Sequence, residues 1–241
     1  MRLHGACYDL AKLDFGRGEE VMLKAEQLVD FAAFDAAPLV REPFAHFVAH
    51  DFVPKSVMAD IDRDFPEVPK RGSFPMSELD SGPSFKALVD YLESEEVARK
   101  FSEKLGIDLV GKPTTMTIRG YSGEQDGRVH TDSRTKLVTV LLYLNSGWNS
   151  PDGRLRLLRS NDLEDWFDEV PPDAGTLLAF VNTENAWHGH KPFVGQRRSI
   201  QLNWVVSDAA VRRSQWRHGL SAKIKRWFGG GKKAKPVDDA Y

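Results

Sequence analysis

Two stretches of the sequence decide the fold: residues 137–144 read LVTVLLYL, and residues 198–206 read RSIQLNWVV. In each stretch apolar side chains occupy every second position, which is the period of a β-strand with one buried face. Both are therefore predicted to be strands that pack on a core through that face. The buried faces are Val138, Val140, Leu142 and Leu144 in the first stretch, and Ile200, Leu202, Trp204 and Val206 in the second.

Short runs of the same kind recur from residue 114 to residue 206, with turn residues between them. Repeated strands without intervening helices indicate a β-sandwich or barrel instead of βαβ units. We predict a mainly β (α+β) fold built on a double-stranded β-helix, or jelly roll, an arrangement that protects sheet edges. The predicted strands are 114–121, 128–132, 137–144, 154–158, 176–181, 187–191 and 198–206.

Helical patterns dominate the sequence before residue 114. Helices are predicted at 19–34, 55–65, 85–92 and 95–105, an early strand at 43–52 and a loop at 67–83. We expect one domain over residues 1–208, with helical support at 1–113 and the jelly-roll core at 114–208. The helices should pack on one outer face of the core.

The composition is that of an ordinary soluble globular protein, with 241 residues, 41% of them hydrophobic. A formal net charge of -2 argues against a general nucleic-acid binder. The single cysteine, Cys7, excludes an intramolecular disulfide. No apolar export signal or bilayer-spanning run is present, so we expect a cytoplasmic protein.

The segment 209–241 is basic and amphipathic. It fits contact with a membrane surface or a partner, but a terminal helix that packs on its own domain is the more frequent explanation of this pattern. Its apolar stripe consists of Trp216, Leu220, Ile224, Trp227 and Phe228, and its first cations are Arg212, Arg213, Arg217, Lys223, Lys225 and Arg226.

A metal site is indicated by His130 and Asp132, which lie two residues apart in a predicted strand and so share a face. A third ligand must come from a distant strand, where His188 and His190 are both candidates. Two histidines and one carboxylate form the facial triad of non-haem Fe(II) enzymes. The same ligands also occur in zinc hydrolases, which stay an alternative.

Arg198 lies on the apolar face of the last predicted strand, which should point into the sandwich. A buried guanidinium needs an anionic partner, and its fork suits a carboxylate. We therefore expect Arg198 to bind a carboxylate-bearing ligand, with an acidic residue elsewhere in the chain as the alternative partner. Arg197, on the polar face of the same strand, is expected to be solvated.

The motifs between residues 115 and 206 resemble, in order, the catalytic core of the prolyl 4-hydroxylase-like Fe(II)/2-oxoglutarate-dependent oxygenases. Gly195 lies one residue nearer the distal histidine than in many relatives, which keeps Arg197 as an alternative to Arg198. The matching pieces are Tyr121-Ser-Gly, His130-Thr-Asp132, the segments 137–145, 153–157 and 175–180, His188 with Pro192, and Gly195, Arg198 and Trp204.

This resemblance implies a dioxygenase that hydroxylates an unidentified protein side chain, small molecule or glycan. It selects His188 over His190, since Pro192 follows His188 by four residues as in that family. It implies Fe(II) as cofactor and 2-oxoglutarate as cosubstrate, held by Arg198 and Tyr143 with Tyr121 as a further pocket residue. Ascorbate is an optional accessory. The alternative from a different class is a non-catalytic jelly-roll protein docked by its basic tail.

Overall fold

The computed structural model describes residues 11–14, 20–23, 25–207, 209 and 211. The predicted amphipathic segment beyond residue 208 and Cys7 lie outside this part of the chain, apart from residues 209 and 211. The helices are α1 (Phe31–Ala36), α2 (Lys55–Arg63), α3 (Pro83–Leu92) and α4 (Glu95–Leu105). The strands are β1 (Ala11–Asp14), β2 (Glu20–Leu23), β3 (His46–Ala49), β4 (Ser73–Pro75), β5 (Thr114–Ser122), β6 (Lys136–Tyr143), β7 (Leu155–Leu158), β8 (Trp166–Val170), β9 (Leu177–Val181), β10 (Trp187–His190) and β11 (Gly195–Val205).

Two antiparallel sheets form the body of the protein. The larger has six strands in the order β3-β9-β6-β11-β5-β4, and the smaller has three in the order β10-β7-β8. A small apolar core joins them, with Tyr143 and Phe180 from the larger sheet and Leu157 and Val170 from the smaller one. This arrangement confirms the predicted jelly-roll core.

The other face of the larger sheet is covered by helices. Val138, Val140 and Leu142 of β6 are buried in a second, larger core with Phe85 of α3 and Phe101 of α4. Each of these side chains is at most 2% exposed, and burial of a large apolar side chain stabilises the fold by about 1.5–3 kcal/mol. The predicted packing of helices on one outer face is therefore confirmed, and both faces of the larger sheet are covered.

Four local predictions were wrong. The loop predicted at 67–83 contains the short strand β4 and a 3₁₀ turn at Met76–Glu78. The helix predicted at 19–34 is replaced by β2, a 3₁₀ turn at Ala25–Leu28 and α1, which begins only after Asp30 because that carboxylate caps the backbone amides of Ala32 and Ala33. The segment 128–132 is no strand and makes only an isolated bridge at His130. The strand β8 was missed. Within the described residues, every helix is too short or too polar to cross a bilayer.

Candidate active site

His130 and His188 are held opposite each other by a backbone bridge. The amide of His130 donates to the carbonyl of His188 at 3.0 Å, and the amide of His188 donates back at 2.9 Å. This antiparallel pair brings the two imidazole rings to a centroid separation of 4.3 Å. The bridge therefore joins a loop residue and a β10 residue that are distant in sequence.

The tautomers of both histidines follow from their hydrogen bonds. Nδ1 of His130 lies 2.9 Å from the carbonyl oxygen of Arg128, and Nδ1 of His188 lies 2.9 Å from that of Ala186. A carbonyl oxygen only accepts, so Nδ1 carries the proton in each ring. Each Nε2 is left with a free lone pair, the state in which imidazole binds a metal.

Asp132 completes the group and is held by two donors. Lys136 Nζ lies 2.7 Å from Oδ1, and Thr139 Oγ1 donates to Oδ2 at 2.6 Å. Burial by itself would raise the pKa of Asp132, but the charges of Lys136 and His188 and these two hydrogen bonds lower it far below its usual value. The side chain is therefore a fixed carboxylate at neutral pH. Lys136 was missed by sequence reasoning, although a cation four residues after a ligand carboxylate was a readable signal.

The three side chains converge as a metal site requires. One potential ligand atom from each of His130, Asp132 and His188 lies within 4.8 Å of the others. In the described part of the chain, these three residues are the group that could hold a metal ion. Burial and the nearby His130 lower the pKa of His188 to about 4, so its ring is neutral and able to ligate at pH 7. His190 is buried on the same strand but lies outside the group.

The group opens into a cavity of about 130 Å³ between the two sheets. Leu141 and Leu155 are the apolar side chains of its lining; the rest is polar, charged or glycine. Ser199 and Gln201 of β11 also line it. The polar face of the last strand, expected to meet solvent, therefore forms a wall of the cavity.

Arg197, not Arg198, points into this cavity, so the predicted burial of Arg198 is wrong. Arg197 is 5% exposed and its Nε donates to the carbonyl of Gly153 at 2.9 Å. Arg198 is partly exposed, pairs with Asp62 of α2 and lies over the ring of Phe65, 4.7 Å from its centroid. The alternation of side chains along β11 was predicted correctly, but its apolar face packs on the helices instead of facing the cavity.

A bulge in β11 carries the two arginines. Gln196 pairs with Tyr121 of β5 and Ser199 pairs with Arg119, so β11 has one residue more than β5 over this interval. Such a bulge re-aims side chains at the edge of a site. Tyr121, predicted to lie in the pocket, is 46% exposed and does not line the cavity.

Tyr143 is the buried polar neighbour of Arg197, which lines the cavity. The Arg197 guanidinium carbon lies 5.3 Å from the centre of the Tyr143 ring. Burial raises the pKa of Tyr143 and lowers that of Arg197. Tyr143 Oη and Arg197 Nη2 are both buried without a hydrogen-bond partner among the described residues. Unpaired buried donors are costly, and a carboxylate is a group that could accept from both atoms.

Residues 116–206 match the family model described as the 2OG-Fe(II) oxygenase superfamily. The chain is thus similar to a 2OG-Fe(II) oxygenase over 91 of its 241 residues. This match implies Fe(II) as cofactor and 2-oxoglutarate as cosubstrate, and it favours an oxygenase over the zinc hydrolase. No curated protein matches the chain significantly in sequence.

Solved structures similar to this chain include three hydroxylases. A prolyl-4-hydroxylase from Pseudomonas putida is 23% identical, with 66% of this chain and 85% of that chain covered and a TM-score of 0.45. A prolyl hydroxylase from Trichoplax adhaerens, in complex with a hypoxia inducible factor oxygen degradation domain peptide fragment, is 18% identical, with 66% and 83% covered and a TM-score of 0.48. A prolyl 4-hydroxylase from Phytophthora capsici is 16% identical, with 80% and 70% covered and a TM-score of 0.48.

The residues present fit both groups that the oxygenase domain requires. Two imidazoles with free Nε2 atoms and one fixed carboxylate are the donor set of a facial Fe(II) site. The buried Nη2 of Arg197 and Oη of Tyr143 are donors without partners, as a carboxylate of 2-oxoglutarate needs.

Proposed function

We propose that this chain is an Fe(II)- and 2-oxoglutarate-dependent dioxygenase that hydroxylates a C–H bond of its substrate. In this proposal His130, Asp132 and His188 hold the metal, while Arg197 and Tyr143 bind the far carboxylate of 2-oxoglutarate. The observation that carries it is one cavity lined by both a three-residue metal group and a buried guanidinium with an unpaired Nη2.

When bound, the two groups supply the oxidation: one O₂ is consumed, 2-oxoglutarate is converted to succinate and CO₂, and one oxygen atom enters the substrate as a hydroxyl. The chain's own residues orient 2-oxoglutarate and restrict the access of water. The fork of Arg197 suits bidentate pairing with a carboxylate, and the Tyr143 hydroxyl adds a third donor. Leu141 and Leu155 place apolar surface in the lining, which restricts water.

The experiment that tests the proposal is succinate formation from 2-oxoglutarate by the Fe(II)-loaded protein under O₂, with and without ascorbate. His130→Ala and His188→Ala should each abolish it, because neither leaves three metal ligands. The matched control is His50→Ala, since His50 is exposed and outside the site. Full activity in either site variant contradicts the assignment, and inactivity of the folded, metal-loaded wild-type protein supports the non-catalytic alternative.

The substrate proposed is one that presents hydrogen-bonding groups beside the reacting carbon. The wall of the cavity formed by β4, β5 and β11 carries Ser73, Thr117, Arg119 and Gln201. Burying an apolar substrate against these groups leaves them unpaired, at roughly 1–3 kcal/mol for each group. Succinate release should therefore respond more to polar side chains, small molecules or glycans than to hydrocarbon analogues of the same size, measured in one panel at fixed 2-oxoglutarate.

A second proposal concerns the segment 209–241, which we propose to bind anionic membrane surfaces. It holds nine of the 33 lysines and arginines and two of the 35 acidic residues, so its formal net charge is +7 while the rest of the chain carries -9. Such a basic segment is attracted to anionic lipid. Co-sedimentation with phosphatidylserine vesicles should be lost on truncation after residue 208. Equal sedimentation of the truncated chain contradicts the proposal, and loss of a protein partner instead of vesicles favours a protein contact.

A further inference from the structure

The side chain of Asn145 is hydrogen-bonded to the backbone of Arg198, the arginine that faces away from the cavity. Its Oδ1 accepts from the amide of Arg198 at 2.6 Å, and its Nδ2 donates to the carbonyl of Arg198 at 2.9 Å. Nδ2 also donates to the carbonyl of Pro172 at 2.8 Å. Asn145 is 8% exposed. A primary amide, with one acceptor and two N–H donors, is the side-chain group that matches these three backbone partners.

These bonds lie where the strand ladder stops. β11 pairs with β6 up to Ser199 and Tyr143, so the backbone of Arg198 lies beyond the last regular pair. The amide of Leu144 reaches its carbonyl at 3.2 Å, and Asn145 supplies the other contacts that a neighbouring strand would make. The side chain of Asn145 thus continues the sheet across the bulge.

Fixing Arg198 also fixes the direction of its neighbour. Arg197 and Arg198 are the two residues of the bulge, where the backbone conformation sets the direction of both side chains. Arg198 points towards Asp62 of α2, and Arg197 lines the cavity. Asn145 does not line that cavity; it lines a separate surface pocket together with Arg198 and Asp62. Any effect of Asn145 on the cavity must therefore pass through the backbone of the bulge.

We infer that Asn145 is a positioning residue for cosubstrate binding, acting through the orientation of Arg197; this inference rests on the proposed role of Arg197. Without the amide, the bulge loses its two contacts to Arg198, and the guanidinium of Arg197 is no longer held at one place and angle. A displacement of about 1 Å in a positioned group is enough for a large loss in binding or rate. The metal ligands lie on other backbone segments and should be unaffected.

The test compares Asn145→Asp and Asn145→Ala with Arg197→Gln and with Asn149→Asp, a matched change at an exposed asparagine of the same loop. 2-Oxoglutarate is titrated calorimetrically into the Mn(II)-loaded protein, and Mn(II) affinity is measured separately. Both Asn145 variants should weaken 2-oxoglutarate binding about tenfold or more and change Mn(II) affinity less than about twofold. Asn149→Asp should change neither affinity.

A double variant separates positioning from general loss of structure. If Asn145 acts through Arg197, then Asn145→Asp should add almost nothing to the 2-oxoglutarate affinity already lost in Arg197→Gln. Additive losses, or equal losses of Mn(II) and 2-oxoglutarate affinity, overturn the inference, as does unchanged 2-oxoglutarate binding in both Asn145 variants while Arg197→Gln weakens it. If Arg197→Gln itself has no effect, it is the proposed function of Arg197 that fails.

Discussion

The sharpest prediction concerns which of two adjacent arginines binds the cosubstrate. Arg197→Gln removes a guanidinium that is 5% exposed and lines the cavity, while Arg198→Gln removes one that pairs with Asp62 outside it. The two substitutions are chemically identical and one residue apart. Their effects on 2-oxoglutarate binding should nevertheless differ greatly, because only one of the side chains faces the metal ligands.

The magnitude follows from burial. Removing one partner of a buried charge pair costs roughly 3–5 kcal/mol, because the remaining charge stays desolvated without compensation. At about 1.4 kcal/mol for each factor of ten, Arg197→Gln should raise the dissociation constant of 2-oxoglutarate at least ~100-fold. Arg197→Lys keeps the charge but loses the planar fork, so its effect should be intermediate. The Arg198 pair with Asp62 is partly exposed and contributes at most about 1 kcal/mol, to stability alone.

The assay is calorimetric titration of 2-oxoglutarate into Mn(II)-loaded protein, with thermal unfolding to show that each variant is folded. The reasoning is refuted if Arg198→Gln weakens binding as much as Arg197→Gln does, since the bulge would then present the other guanidinium to the ligand. Unchanged binding in both variants refutes the carboxylate site itself.

Three further outcomes are expected. Gly127→Ala should destabilise the protein much more than Gly147→Ala, as measured by chemical denaturation. Both glycines have positive φ, but a Cβ on Gly127 would lie 2.3 Å from the carbonyl oxygen of His190, whereas nothing lies within 4 Å of a Cβ on Gly147. Lowering the pH from 7 to 5 should reduce the unfolding free energy of the metal-free protein, because burial lowers the pKa of His188 to about 4 and that of His190 to about 3. Only the unfolded chain takes up these protons, so the unfolding free energy should fall by about 2 kcal/mol for each histidine. A stability that does not change between pH 7 and pH 5 contradicts this. Thr139→Val removes the 2.6 Å hydrogen bond to the ligand carboxylate and should lower Mn(II) affinity about tenfold, with unchanged affinity as the contrary result.

Much of the fold was predictable because its strands obey a simple period. The alternation along β6 and β11 places Val140 and Leu202 in the core shared with the helices, as expected. α4 was predicted over the residues it occupies, since Ser94 caps its first turn and Gly106 ends it in a left-handed conformation. These signals are local, so a single sequence contains them.

The missed strand β8 depended on a partner elsewhere in the chain. Its sequence, WFDEV, is acidic, and acidic residues are depleted in strands. In the fold Glu169 accepts a 2.7 Å bond from Nε of Arg156 in β7, and Val170 is 2% exposed. The charge is compensated across the sheet, which no reading of residues 166–170 alone could show.

The metal ligands were readable because the chemistry restricts residue type and spacing, but the orientation of the arginine was not. Alternation divides a strand into two faces without saying what covers each face. In β11 the apolar face, with Leu202, meets the helices, and the polar face, with Ser199 and Gln201, meets the cavity. The assumption that a polar face meets water reversed the assignment of Arg197 and Arg198.

The two covered faces of the larger sheet also explain how this chain combines a stable fold with a polar site. An unpaired charge inside a single apolar core would be costly, whereas a sheet with a separate apolar core on its helical face can tolerate a polar cavity on the other. The helical core holds Val138 and Leu202, and the cavity face of the same two strands carries Thr139 and Gln201. Neighbouring residues of one β-strand therefore serve different faces, one the apolar core and the other the cavity. The bulge lies at the end of this alternation, where Arg197 lines the cavity and Arg198 pairs with Asp62 of α2.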